Sequence, residues 1–228
     1  IGGKTGVNSK YGKNLIGSFY QPCLVISDTK FLKSLPKREI ICGYGEILKH
    51  SLIYSKVFFN FLNKNIQKIL NLSSPYIEKV IYESCKIKMN VVEKDETEIG
   101  LRKILNFGHT FAHAYEASLG YSKRLNHGEA VILGMITALY FSYKNNFLKK
   151  NDYKLITNHI YNSDLTYSLN KFFKVKDLNK ILSFMIKDKK NNSSKIRLVL
   201  LKSIGSAIFD KEYERERVKI LLKNFLRD

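Results

Sequence analysis

The sequence predicts a mainly α-helical protein that contains one small β-hairpin. Apolar residues recur at helical spacing through nearly all of the region from residue 38 to residue 186. The period then changes, because Ile196, Leu198 and Leu200 lie on one face of an extended chain. Gly205 separates this run from a second apolar segment at residues 207–209. We therefore expect a hairpin over residues 195–209 and a closing helix over about 211–226.

The first 36 residues differ from the helical region that follows them. Residues 1–20 are polar and are interrupted by glycine at five positions, so we expect a loop there. Residues 24–28 form a short apolar run between turn residues, which predicts one buried strand. Pro36 then begins the helical region, since proline is tolerated in the first turn of a helix.

The helical region is divided by turn residues into separate helices. We expect helices over about 38–53, 55–71, 74–94, 104–119, 128–148, 151–161 and 177–187. The polar run at 187–195, rich in lysine, asparagine and serine, predicts a loop before the hairpin. The chain is thus expected to consist of a short first part, residues 1–36, and a helical domain, residues 37–228.

Composition narrows the classes of protein that this chain can belong to. The net charge of +19 invites a nucleic-acid interpretation. However, the lysines are spread along the chain, and the sequence has no zinc-finger spacing or RNA-recognition signature. No apolar run is long enough to span a bilayer. Three scattered cysteines without a Cys-x-x-Cys pair indicate a reducing, cytoplasmic location. We expect no nucleic-acid or membrane partner.

The histidines are concentrated in one stretch of the sequence. His109 and His113 are four residues apart in a helical pattern and therefore share one helix face. His127 stands just before another apolar run, where a helix is expected to begin. Glu46 is an upstream candidate for an anionic ligand. Two imidazoles and a carboxylate are typical of catalytic zinc sites, although a single histidine is more often a hydrogen-bonded core residue.

Several blocks of the sequence resemble the 3-dehydroquinate synthase family, in the order in which that family has them. They include Gly-Tyr-Gly-Glu-Ile-Leu-Lys at 43–49, Asn-Phe-Gly-His-Thr-Phe-Ala-His at 106–113 and His-Gly-Glu-Ala at 127–130. Further blocks lie at residues 2–8, 12–17, 98–102 and 188–190. The resemblance implies that residues 37–228 form a helical metal-binding domain. It also implies that residues 1–36 are a remnant of an α/β domain that binds NAD.

The resemblance assigns a metal set and a substrate set. Glu46, His109 and His127 are implied as ligands of zinc, with cobalt as a possible replacement. The segment before His127 departs from the family pattern, being one residue longer. The residues implied at the substrate are Lys49, Lys88, Glu98, Arg102, Asn106, His113 and Lys189. The residues implied at the cofactor are Lys4, Lys13, Asn14, Phe31, Leu32, Lys33 and Ser34.

Some of these assignments leave alternatives open. His113 either contacts the substrate or orients a metal ligand. Lys88 is alternatively a solvated lysine on a helix face, because lysines occur throughout the chain. Lys190 is the alternative to Lys189 at the substrate phosphate. Glu129 is either an acid in the site or the partner of a histidine.

The family resemblance also implies a reaction and a setting. The reaction converts 3-deoxy-arabino-heptulosonate 7-phosphate into 3-dehydroquinate and phosphate, in aromatic biosynthesis. The implied partners are this small anionic sugar phosphate and a second copy of the chain in a homodimer. The alternatives are another sugar-phosphate cyclase, a metal-dependent polyol dehydrogenase, and a truncated relative without activity.

Overall fold

The structure, a computed structural model, describes residues 1–9, 12–163, 165, 168–187 and 195–227, and all their side chains except those of 8, 9, 12–15 and 187. The described part is mainly α-helical, which confirms the predicted fold class. Its α-helices are α1 (Lys37–Tyr54), α2 (Lys56–Leu70), α3 (Tyr76–Lys94), α4 (His109–Ser118), α5 (His127–Lys144), α6 (Lys150–Tyr161), α7 (Leu178–Lys187) and α8 (Arg215–Phe225). Short 3-10 helices cover Thr29–Ser34, Leu101–Asn106, Leu169–Lys171 and Val175–Asp177.

Four strands form two antiparallel hairpins. Strands β3 (Lys195–Ser203) and β4 (Ser206–Glu214) form the expected hairpin. The hairpin is longer than predicted, so the closing helix begins at residue 215 and not at about 211. Strands β1 (Val7–Ser9) and β2 (Gly12–Ile16) pair within residues 1–20, where we expected a loop throughout. The prediction of a loop throughout was wrong, because Val7 pairs with Ile16 and Ser9 with Gly12 in an antiparallel ladder.

The buried strand predicted at residues 24–28 was also wrong. These residues form no strand, and the side chains of Leu24 and Ile26 are 75% and 82% exposed. An extended segment becomes a strand only when a neighbouring strand completes its hydrogen bonds. Among the described residues no strand pairs with this segment. The apolar run is present in the sequence, but an apolar run alone does not provide the neighbouring strand that a β-strand requires.

Helix α5 forms the centre of the core. Nearly every side chain from residue 129 to residue 142 is buried, as expected for a helix that is surrounded by other elements. It packs against α4, α1 and strand β3. The Ser142 hydroxyl accepts a 3.0 Å hydrogen bond from the Leu201 backbone and so joins α5 to β3. No helix in the described part of the chain, α5 included, is long and apolar enough to span a membrane.

The contact between α4 and α5 depends on two glycines. The predicted helix over 104–119 is divided at Gly108, which has a left-handed φ of 82°. A Cβ atom on Gly134 of α5 would lie 2.2 Å from the Gly108 carbonyl oxygen. Because no side chain fits in this gap, the start of α4 approaches α5 as closely as two backbones can. Similarly, a Cβ on Gly128 would lie 2.2 Å from the Cβ of Cys42 in α1.

We expect Gly134→Ala to reduce the free energy of unfolding by about 1–3 kcal/mol, because the added methyl group must push the Gly108 backbone away. Gly43→Ala is the matched control, since a Cβ at this helical position meets no atom within 4 Å. It should leave stability unchanged or raise it by up to about 1 kcal/mol. Urea unfolding measures both. Equal stabilities of the two variants would contradict the close approach.

A buried histidine outside the histidine stretch links three helices. The Tyr44 hydroxyl lies 2.8 Å from Nε2 of His159, and the Asn63 side-chain oxygen lies 3.0 Å from Nδ1. A neutral ring satisfies both groups by accepting at Nε2 and donating from Nδ1. Burial lowers the pKa of His159 to about 4. The folded protein therefore holds this ring uncharged.

This histidine makes stability depend on pH. Its folded pKa of about 4 lies below its usual value of 6.5, so the unfolded chain binds the proton first as the pH falls. Stability should therefore decrease between about pH 6.5 and pH 4, by about 2 kcal/mol from pH 7 to pH 5. His159→Gln should remove this part of the decrease. Urea unfolding of both proteins at the two pH values measures it, and identical decreases would refute it.

Candidate metal and substrate site

The three candidate metal ligands come from three helices, of which α1 and α4 both pack against α5. Glu46 lies in the middle of α1, while His109 and His127 are the first residues of α4 and α5. The ring centroids of His109 and His127 are 6.0 Å apart. The His109 ring stands at a helix N-terminus, whose partial positive charge disfavours protonated imidazole. This placement suits a metal ligand, because a metal binds the neutral form of the ring.

The protonation state of His109 suits a ligand. Burial lowers its pKa well below 6.5, and the nearby Lys49 ammonium lowers it further. Nδ1 of His109 lies 3.4 Å from the Phe107 carbonyl oxygen. With the Nδ1 hydrogen donated to this oxygen, Nε2 carries the lone pair that can bind a metal.

Glu46 is ionised and paired with a lysine. Burial raises its pKa, but Lys49, whose Nζ lies 2.7 Å from the Glu46 carboxylate, and then His109 lower it to about 2 overall. Burial lowers the pKa of Lys49, and Glu46 opposes that change. The carboxylate and the ammonium therefore stabilise each other's charges inside the site.

The donor set fits a divalent metal ion of the zinc type. One carboxylate and two imidazoles come from three helices, which is a donor set found in catalytic zinc sites. Glu46, His109 and His127 all line a cavity of about 640 Å³. Within the described residues no three His, Cys, Asp or Glu side chains are already arranged around a metal position. The assignment of these ligands stays a prediction.

A second cavity, of about 460 Å³, shares Glu46 and His109 with the first. Its volume suits a small-molecule ligand. The cavity brings together eight of the residues that the sequence singled out, namely Lys4, Glu46, Lys49, Lys88, Glu98, Arg102, Asn106 and His109. Four of these side chains are cations and two are carboxylates, so the cavity carries net positive charge. A ligand bound here is expected to be anionic.

Glu98 organises the wall of this cavity. Its carboxylate accepts hydrogen bonds from the Lys4 ammonium and the Asn106 side-chain amide. Its backbone has a φ of 63°, a conformation that costs energy for a residue other than glycine. Surrounding structure must therefore hold the loop in place.

Asp95, which sequence reasoning missed, holds that loop. Its carboxylate accepts hydrogen bonds from the backbone N–H groups of Ile99, Gly100 and Arg102, at 3.0, 2.8 and 2.8 Å. Burial raises the pKa of Asp95, but these hydrogen bonds outweigh that effect and lower it overall. An aspartate at the end of a helix and just before a glutamate-rich turn was the available signal.

Arg102 joins the N-terminal segment to the helical domain. Its guanidinium group is buried and donates hydrogen bonds to the carbonyl oxygens of Gly2, at 2.5 Å, and Glu96. It also lies 5.3 Å from the centroid of the Phe19 ring. One face of the cavity is thus formed by residues that lie far apart in the sequence.

His113 and residues 31–34 lie at or beyond the edge of this site. The His113 ring is 5.6 Å from that of His109 and 6.1 Å from that of His127, centroid to centroid. Phe31, Leu32, Lys33 and Ser34 lie in a 3-10 helix, and Leu32 shares an apolar cavity of about 260 Å³ with Glu46. Lys189 and Lys190 lie outside the described residues, and so do the side chains of Lys13 and Asn14.

The partner of His127 is Glu116, which sequence reasoning missed. Nδ1 of His127 lies 2.9 Å from the buried Glu116 carboxylate, so the ring is oriented with Nε2 away from it. Glu116 follows His109 by seven residues, on the same face of α4. That spacing was the signal that could have identified it. Glu129, proposed as an alternative histidine partner, instead binds Arg38 and caps α5.

We expect Glu116→Gln to change the tautomer of the His127 ring. The carboxylate accepts the Nδ1 hydrogen only, whereas the amide of glutamine can also donate to Nδ1. The ¹⁵N shifts of the ring nitrogens at about pH 8 should therefore indicate one tautomer in the parent chain and a mixture in the variant. Glu129→Gln serves as the control and should leave these shifts unchanged. A parent ring that already populates both tautomers would disprove the orienting role.

Comparison with known proteins identifies relatives of the whole chain. A family model described as 3-dehydroquinate synthase C-terminal matches residues 43–191, and one described as 3-dehydroquinate synthase N-terminal matches residues 1–42. The 3-dehydroquinate synthase of Pelagibacter ubique is 63% identical over 226 residues, which are 99% of this chain and 61% of that protein. That of Dictyoglomus thermophilum is 45% identical, over 97% of this chain and 61% of that protein.

Solved structures with a similar fold include two synthases that contain NAD⁺ and a metal ion. A 2-epi-5-epi-valiolone synthase from Streptomyces hygroscopicus, with NAD⁺ and Zn²⁺ bound, has a TM-score of 0.87 at 22% identity and covers 100% of this chain and 62% of that one. A 2-deoxy-scyllo-inosose synthase with carbaglucose-6-phosphate, NAD⁺ and Co²⁺ has a TM-score of 0.82 at 24% identity and covers 96% and 61%. These likenesses show the fold. The chain spans about 61% of the length of the curated relatives.

Proposed function

Because this chain belongs to the 3-dehydroquinate synthase family, we propose that it forms the metal- and substrate-binding part of such an enzyme. The proposed reaction converts 3-deoxy-arabino-heptulosonate 7-phosphate into 3-dehydroquinate and phosphate. The observation that carries the proposal is the cavity in which Lys49, Lys88 and Arg102 surround Glu46 and His109. A positive cavity next to a metal set suits a substrate that bears both a carboxylate and a phosphate.

The proposed metal ligands are Glu46, His109 and His127, with zinc or cobalt as the ion. A bound ion supplies polarisation of substrate hydroxyl groups. The proposed NAD contacts are Lys4, Lys13, Asn14 and residues 31–34, and bound NAD supplies a transient oxidation of the substrate. The solved cyclases with NAD⁺ and Zn²⁺ or Co²⁺ support both assignments by analogy.

The side chains of the cavity have distinct proposed roles. Arg102 and Lys88 bind the substrate carboxylate, for which a planar guanidinium group is well suited. Lys189 and His113 contact the phosphate at the opposite end, so that the substrate is held at both ends. The phosphate itself removes the proton before it leaves, and the protein mainly positions the reacting groups.

Glu98, Asn106 and Lys49 complete the proposed site. Glu98 holds Lys4 and Asn106 in position through its carboxylate. Asn106 then binds substrate hydroxyl groups, which neutral amides can do without adding charge. The Lys49 ammonium group lines the same cavity and contacts the substrate there. Its pairing with the Glu46 carboxylate, at 2.7 Å, favours the charged form of both groups.

The domain organisation and setting are further proposals. We assign residues 1–36 to the NAD-binding domain and residues 37–228 to the metal- and substrate-binding domain. Arg102 and Lys4 support a functional connection between them, since each contacts the other part of the chain. We also propose a cytoplasmic homodimer. The cysteines support the location, since Cys23, Cys42 and Cys85 are all unpaired.

Cobalt titration of the metal-free chain tests the metal set. Co²⁺ bound by a carboxylate and two imidazoles should give visible absorption at one equivalent. Removing a ligand in Glu46→Ala, His109→Ala or His127→Ala should weaken binding by at least about 100-fold. His113→Ala, which removes a neighbouring imidazole, should bind cobalt normally. Loss of binding in His113→Ala, or retention in the three ligand variants, would disprove the assigned set.

The same cobalt-loaded chain reports substrate binding. The heptulosonate phosphate should change the visible spectrum saturably, and Lys88→Met should weaken this effect about tenfold without changing cobalt affinity. Lys86→Met is the control, because this lysine is exposed on the same helix. Glucose 6-phosphate, which lacks the carboxylate, should bind more weakly. Stronger binding of glucose 6-phosphate would favour another sugar-phosphate cyclase.

A further inference from the structure

The first turn of α5, which carries His127, is tied to α1 by one arginine. Arg38 donates from Nε to Glu129 Oε1 at 2.6 Å and from Nη2 to Glu129 Oε2 at 2.5 Å. Its Nη2 also donates to the Lys123 carbonyl oxygen at 3.1 Å. This geometry is a two-pronged contact between a guanidinium group and a carboxylate, which fixes orientation as well as distance.

Glu129 transmits this contact to the start of the helix. Its Oε2 atom accepts a 2.9 Å hydrogen bond from the Asn126 backbone, and the Asn126 side chain accepts one of 2.9 Å from the Glu129 backbone. This capping box encloses His127 between its two members. The Asn126 side chain also accepts a 3.3 Å hydrogen bond from the Cys42 thiol of α1.

Most of the chain just before His127 is exposed, but the Leu125 side chain is buried in the core. Residues 120–124 are all exposed, and the His127 side chain is itself 51% exposed. Glu129, by contrast, is buried. Glu129, the buried member of the Arg38–Glu129 pair, therefore lies on α5, the helix that carries His127. Arg38 lies on α1, the helix that carries Glu46.

We propose that Arg38 is a positioning residue for the metal site, acting through Glu129 and Asn126 on His127. Arg38 and Glu46 belong to the same helix, α1, so a rigid link from Arg38 to the first turn of α5 sets the position of His127 relative to Glu46. The proposal rests on the proposed function, because it concerns the same metal site. It assigns the link a role in metal affinity in addition to its contribution to stability.

Arg38→Gln tests the link in two ways. The amide hydrogens of Glu129 and Ala130 should exchange at least about tenfold faster in the metal-free variant, because the first turn of α5 opens more readily. Cobalt affinity should fall about 10- to 100-fold, as for other residues that orient ligands, and the visible spectrum should change shape. Arg38→Lys should restore part of the affinity, since an ammonium group can still contact one carboxylate oxygen.

Arg124→Gln is the matched control. Arg124 lies in the segment that connects α4 to α5. Its guanidinium group donates to the Lys171 carbonyl oxygen. This variant should keep the cobalt affinity within about twofold, and amide exchange in the first turn of α5 should be unchanged. Arg38→Lys, read by the same two measurements, replaces Arg38→Gln if the latter does not fold.

Two results would overturn the role of Arg38. One is an unchanged cobalt affinity and spectrum in Arg38→Gln; the other is an equal loss in Arg124→Gln. A loss of affinity that the unfolded fraction fully accounts for would reduce Arg38 to a stabilising residue and would overturn it as well. Failure of the unaltered chain to bind cobalt would instead refute the proposed function. In that case, amide exchange in the first turn of α5 would still test whether Arg38 holds this turn in place.

Discussion

The candidate site depends on how closely α1 and α4 each approach α5. Two glycines of α5 allow this approach, since a Cβ at Gly128 would lie 2.2 Å from Cys42 and one at Gly134 would lie 2.2 Å from the Gly108 carbonyl oxygen. Each helix contributes one candidate metal ligand. Because a metal bound by three helices requires its donor atoms within a few ångströms, larger interhelical distances would separate the ligands. Close contact between these backbones is therefore a condition for metal binding at the site.

Charge is the second constraint on this region. Burial near Lys49 and the position of His109 at a helix N-terminus both favour neutral imidazole. The same lysine keeps Glu46 ionised, with a pKa of about 2. The opposite effects of one ammonium group on two ligands give the protonation states that metal binding requires. The positive charge then extends to Lys88 and Arg102 in the adjoining cavity, where an anionic ligand would compensate it.

Much of the fold could be predicted from the sequence, because amphipathic periodicity is a local property. The helices and the second hairpin were found at nearly their observed positions. The errors occurred where a distant neighbour decides the outcome. Residues 24–28 have a strand-like sequence but no partner strand among the described residues. Glu116 went unnoticed because its importance arises from contact with His127 on another helix, although its spacing from His109 was visible.

The sequence by itself determined the family, the helical periodicity and the identities of the candidate ligands. These follow from residue types at short sequence spacings, which are visible without knowledge of the fold. Only the tertiary structure decided which residues meet in one cavity, with Gly2 beside Arg102 and Lys4 beside Glu98. It also decided that Glu129 pairs with Arg38 and Glu116 with His127, although both carboxylates are close to the histidines in sequence. The physical reason is that hydrogen bonds depend on distances of about 3 Å, which packing sets and sequence separation does not.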